Sequence, residues 1–128
     1  MRPRPIAAVA AALALVLDVA APSAHAASFY CDADPHAYLA VGGNGYVYTG
    51  VSNGSGIAIT AICSLSSADG NVTPQACSAW YAMLLTQRTA GGKALPHFNT
   101  DDPGNGTLTG CTDFKSWEHH TPYFIPAQ

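Results

Sequence analysis

Two stretches decide the fold: Ile57-Ala58-Ile59-Thr60-Ala61-Ile62-Cys63-Ser64-Leu65, and the segment from Thr73-Pro74-Gln75-Ala76-Cys77 through Trp80-Tyr81-Ala82-Met83-Leu84-Leu85 to Ala90-Gly91-Gly92. The first is rich in β-branched residues and reads as the longest strand. A strict period of two puts Ile57, Ile59, Ala61, Cys63 and Leu65 on one face, so Cys63 is expected on the side that Ile57 and Ile59 bury. The second opens with Thr as N-cap and Pro at the first helical position and closes on glycine, which predicts a helix over 74–90. Cys77, Trp80, Tyr81, Leu84, Leu85 and Arg88 fall at the 3/4 spacing of one helix face, so Trp80 and Tyr81 are expected in the core.

Upstream, Ala37–Val41 is a short strand candidate. Gly42-Gly43-Asn44-Gly45 is a turn, and Tyr46–Val51 reads as a strand from its aromatic and β-branched residues. The Asn53-Gly54 dipeptide then signals a hairpin into the long strand. Downstream, Lys93–Phe98 is a candidate that Pro96 confines to an edge or a bulge. Thr107–Thr112 and Tyr123–Ile125 are further short candidates, with Asp113–His120 unassigned between them. One helix covering one face of a small antiparallel sheet of about five strands makes an α+β domain.

The chain starts Met1-Arg2-Pro3-Arg4-Pro5 and continues with an apolar run, Ile6–Leu17, of 12 residues. A membrane-spanning helix needs about 20. The basic start, the short apolar run and Ala24-His25-Ala26 have the form of a signal peptide over 1–26, cut after Ala26. Residues 27–128 are then a single exported domain, secreted or periplasmic, with no membrane span. Its three cations, Arg88, Lys93 and Lys115, stand against seven carboxylates, a formal charge of −4. Binding to a polyanion requires clustered cations, which excludes nucleic acid as a partner.

All four cysteines follow the proposed cut. An even count in a small exported domain reads as two disulfides. Pairing Cys77 with Cys111 and Cys31 with Cys63 is favoured, each bond closing a loop worth about 3–4 kcal/mol in the chain-entropy picture. Cys63–Cys77 with Cys31–Cys111 stays open. No Cys-x-x-Cys pair is present to suggest a metal site, and neither metal nor cofactor is expected.

No strong catalytic motif occurs. Glu118 with His97 or His120 supplies acid and base groups for a small secreted hydrolase, but no cations gather near the histidines to hold an anionic transition state. Asn99–Gly106 fails the calcium-loop spacing at Pro103. The sequons at Asn53, Asn71 and Asn105 lie in expected loops and read as turn chemistry. The aromatic residues are the better clue. Tyr46 and Tyr48 alternate onto one strand face, and Trp117 and Tyr123 flank a polar loop. Exposed rings beside polar groups suit uncharged ligands such as sugars, whereas buried ones are only packing. Tyr46, Tyr48, Trp117, His119 and Tyr123 are the candidate ligand contacts of a non-catalytic binding domain. The alternatives are the hydrolase and an interaction or inhibitor partner of another exported protein.

Ala61-Ile62-Cys63-Ser64-Leu65, the helix carrying Trp80 and Leu84-Leu85, and Gly92-Lys93 leading into a strand together resemble the B subunits of AB5 toxins, the subtilase-cytotoxin type in particular. The resemblance spans Cys63–Lys93 and implies an OB-like barrel with one helix, assembly into a homo-oligomeric ring, and glycan binding. Cys77 departs from the pattern, and no glycan-contact position carries over.

Overall fold

A computed structural model describes residues 27–128; the proposed leader over 1–26 lies outside the described residues. Six strands form two sheets beside one long helix. The strands are β1 (Ser28–Tyr30), β2 (Ala33–Val41), β3 (Tyr46–Ser52), β4 (Ile57–Ser64), β5 (His97–Asn99) and β6 (Glu118–His119). The larger sheet runs β2-β3-β4-β6 and the smaller pairs β1 with β5. The fold is therefore α+β, as expected. The larger sheet is open, with β2 and β6 as its edges, and no closed barrel forms among the described residues.

The helix α1 (Pro74–Ala90) has the limits its caps dictate. The Thr73 hydroxyl accepts the Ala76 N–H at 3.2 Å, and Gly91 takes a left-handed conformation, φ 72°, open to a residue without a Cβ. Cys77 and Leu84 are fully buried, and Trp80, Tyr81 and Met83 pack against the core. The guanidinium of Arg88 donates to the Leu39 carbonyl at 2.8 Å, tying the helix to β2. Leu85 lies off the buried stripe and is exposed.

The face assignment of β4 is corrected. A bulge interrupts its pairing with β3, the register passing from Val47↔Cys63 to Tyr48↔Ala61. The extra residue, Ile62, breaks the period of two. Cys63 consequently joins Val47, Val51, Ala58 and Ile62 in the core under the helix. Ile57 lies on the opposite face and is exposed.

The favoured cysteine pairing is corrected for a related reason. The bonds are Cys63–Cys77 and Cys31–Cys111, the arrangement left open by the sequence. The short loop after β4 folds the first turn of α1 back over the end of that strand, bringing the Cα atoms of Cys63 and Cys77 within 5.7 Å. Cys111 lies instead beside the end of β1, where its sulfur meets the Tyr30 carbonyl.

Two strand expectations also change. Thr107–Thr112 is no strand: Asp113 accepts hydrogen bonds from Thr109 and Gly110, and Cys111–Asp113 is a 3-10 turn. Local side-chain acceptors here outcompete a ladder. Tyr123–Ile125 contributes only a single bridge, His97↔Phe124. Conversely, the unassigned segment Asp113–His120 holds β6, which pairs parallel to β4 through Thr60↔Glu118 and Ala61↔His119. The larger sheet is thus mixed rather than purely antiparallel.

Candidate functional site

The face of the larger sheet turned away from α1 carries the site. The hairpin turn before β3 positions its first rings. Asn44 Oδ1 accepts the Tyr46 N–H at 3.2 Å, and Asn44 Nδ2 donates to the Tyr48 hydroxyl at 3.4 Å. Gly42 leaves room for them: a Cβ at this position would stand 2.7 Å from Asn44 Oδ1 and 2.9 Å from the Tyr48 ring. A side chain on residue 42 would therefore displace both groups.

Trp117 enters from the chain leading into β6. Its N–H donates to the Ile59 carbonyl at 2.6 Å, and the Ser116 hydroxyl accepts the Ile59 N–H at 3.1 Å. Its backbone has φ 72°, the one positive value outside glycine among the described residues. For a bulky residue this conformation is costly, by about 1–2 kcal/mol. The residue is nevertheless 66% exposed. Its ring centroid lies 6.0 Å from Tyr38, edge-on, and 6.3 Å from Tyr48. Tyr38 reaches this position because β2 is irregular between Asp34 and Leu39. There the Asp34 carboxylate accepts the N–H groups of His36 and Ala37, each at 3.0 Å.

His119 closes the opposite side. Its Nε2 lies 2.6 Å from Asp69 Oδ2 and 3.3 Å from the Thr121 hydroxyl, and its ring meets Tyr46 edge-on at 5.0 Å. Asp69 is set by a tight turn in which it exchanges both backbone hydrogen bonds with Val72. An ionised carboxylate only accepts, so Nε2 carries a proton, and in the neutral ring Nδ1 is left as an acceptor.

Asn44, Tyr46, Tyr48, Ala61, Trp117 and His119 together line a cavity of about 230 Å³. Four of the five candidate contacts, Tyr46, Tyr48, Trp117 and His119, are thus brought to one place. Tyr123 is not among them. It is exposed, and its aromatic neighbour is His97 on β5, at 6.2 Å. The candidate site is corrected on this point, because the chain after β6 turns to the smaller sheet. Sequence reasoning missed Asn44, Tyr38 and Asp69. Tyr38 lies in a recognised strand segment, but its approach to Trp117 depends on the β2 irregularity.

A larger cavity of about 430 Å³ adjoins this site, lined by residues 103–108 with Asp113, Lys115, Glu118, His119 and His120. His120 Nε2 lies 3.1 Å from Glu118 Oε2. Its Nδ1 is buried without a hydrogen-bond partner among the described residues, and the ring packs on Phe114 at 5.1 Å. His97, the other candidate base, belongs to β5 among Tyr30, Tyr123 and Phe124. No group of three or more His, Cys, Asp or Glu side chains capable of holding a metal gathers among the described residues.

The asparagines of two of the three sequons are engaged in hydrogen bonds within the fold. Asn53 accepts from Ser55 and donates to the Phe114 carbonyl at 3.1 Å. Asn105 is fully buried and donates to the Asn99 carbonyl at 2.8 Å.

Comparison of the chain with protein-family models, with curated proteins and with solved structures found no match.

Proposed function

We propose that this protein is an exported, non-catalytic carbohydrate-binding domain whose ligand stacks on Trp117 and Tyr48. The observation that carries the reading is the exposed indole of Trp117, held at positive φ against two tyrosines. Strained backbone conformations concentrate at functional sites, where the surroundings over-determine them. An aromatic platform presents an apolar face to a sugar ring, while Asn44 and His119 at the rim supply hydrogen bonds to hydroxyls. The leader-like sequence over 1–26 and the two disulfides support delivery to an oxidising compartment. Among the described residues no helix is long and apolar enough to cross a membrane.

A glycan-array screen tests the reading. Binding is expected, with a loss of about tenfold or more in Trp117→Ala, as is usual for a central aromatic anchor. Wild-type protein that binds no glycan overturns it. The toxin-B-subunit-like role adds a homo-oligomer, which sedimentation of the purified protein tests directly; a monomer at all concentrations removes that part alone.

A further inference from the structure

We infer that the ligand is a neutral oligosaccharide of at least two residues, bound across His119 from the aromatic cavity into the larger cavity beside it. This rests on the carbohydrate reading and specifies its ligand. His119 lines both spaces, so a ligand laid over its imidazole would reach from one into the other. Small-molecule pockets usually occupy about 300–1,000 Å³. The aromatic cavity, at about 230 Å³, falls short of that range, while its neighbour, at about 430 Å³, is the larger of the two.

The two halves differ in the chemistry they offer. The first presents ring faces, suited to the apolar side of one sugar. The second has no aromatic ring apart from the two histidines and is lined by Lys115, Glu118 and Asp113 together with residues 103–108. Such a lining serves hydroxyl groups, which donate and accept equally. It carries both signs of charge, with carboxylates exceeding the one lysine. An acidic sugar would meet net repulsion, whereas a neutral one gains charge-assisted hydrogen bonds from either sign. Asp69 holds Nε2 of His119, which leaves the second ring nitrogen available at the boundary between subsites.

Titration calorimetry with N-acetylglucosamine, galactose and glucose, each beside its β-linked di- and trisaccharide, tests the inference on the full domain. For the sugar that binds, the disaccharide is expected to bind about tenfold or more tightly than the monosaccharide. Thr107→Trp, at the exposed rim of the larger cavity, and Lys115→Met each reduce that gain; circular dichroism and thermal melting establish that both variants are folded. A monosaccharide that binds through Trp117 as tightly as its longer parents overturns the two-subsite inference and leaves carbohydrate binding standing. A gain that survives in both variants overturns it equally. No binding by any of these probes, with an acidic glycan bound on the array, overturns neutrality. Binding of no glycan at all removes both readings.

Discussion

Asp69 Oδ2 and His119 Nε2 meet at 2.6 Å across 50 residues of sequence. The contact joins the turn before α1 to the edge strand β6 and selects which ring nitrogen carries the proton. Asp69→Asn removes that selection, because an amide can present either a donor or an acceptor. We expect the ¹⁵N shifts of the His119 ring to move toward a mixed tautomer and sugar affinity to fall by about tenfold, with the fold retained. Unchanged affinity alongside a changed tautomer would show that His119 does not touch the ligand.

The backbone of Trp117 allows strain to be separated from contact. Trp117→Ala and Trp117→Gly both delete the indole, but only glycine occupies positive φ without penalty. The glycine variant should exceed the alanine variant in stability by about 1 kcal/mol, measured by chemical denaturation. Both should lose sugar binding equally. Equal stability of the two would mean that the strain is absent in solution.

The two disulfides close loops of very different size, with sequence separations of 14 and 80 residues. In the chain-entropy picture the shorter contributes about 3 kcal/mol and the longer about 4–5 kcal/mol. Replacing Cys31 and Cys111 together by Ala should therefore lower the denaturation midpoint more than replacing Cys63 and Cys77. Non-reducing peptide mapping checks the pairing itself; a Cys77–Cys111 peptide would contradict it.

Asp113 imposes a pH dependence on stability. The Thr109 N–H donates to its carboxylate, as do the Thr109 hydroxyl and the Gly110 N–H, and these bonds hold its carboxyl below the ordinary value of 3.8. A carboxyl depressed in the folded state stabilises above its unfolded pKa, and that contribution disappears as pH falls through the folded value. Wild type should melt higher than Asp113→Asn at neutral pH, and the two curves should converge below about pH 4. A constant gap between them down to pH 2 would assign the difference to geometry alone.

Local chemistry was legible wherever one segment carried all the information. The helix limits follow from Thr73, Pro74 and Gly91, because capping depends on neighbours within one turn. The hairpin around Asn53-Gly54 and the pairing of Tyr46 and Tyr48 on one face are of the same kind. The parity argument for Cys63 failed because one bulge residue, Ile62, reverses every face beyond it. A bulge depends on both strands, so neither strand alone announces it.

By itself, then, the sequence determined the α+β class, one helix over 74–90, the cysteine count and the aromatic residue types available for binding. These depend on composition, caps and short-range periodicity. Only the tertiary structure decided that Cys63 pairs with Cys77, that β6 runs parallel to β4, that Tyr123 leaves the group and that Asp69 and Tyr38 join its surroundings. Each of these is a meeting of distant segments, set by how the loops after β4 and before β6 return to the sheet, and chain-entropy or periodicity arguments do not encode that path.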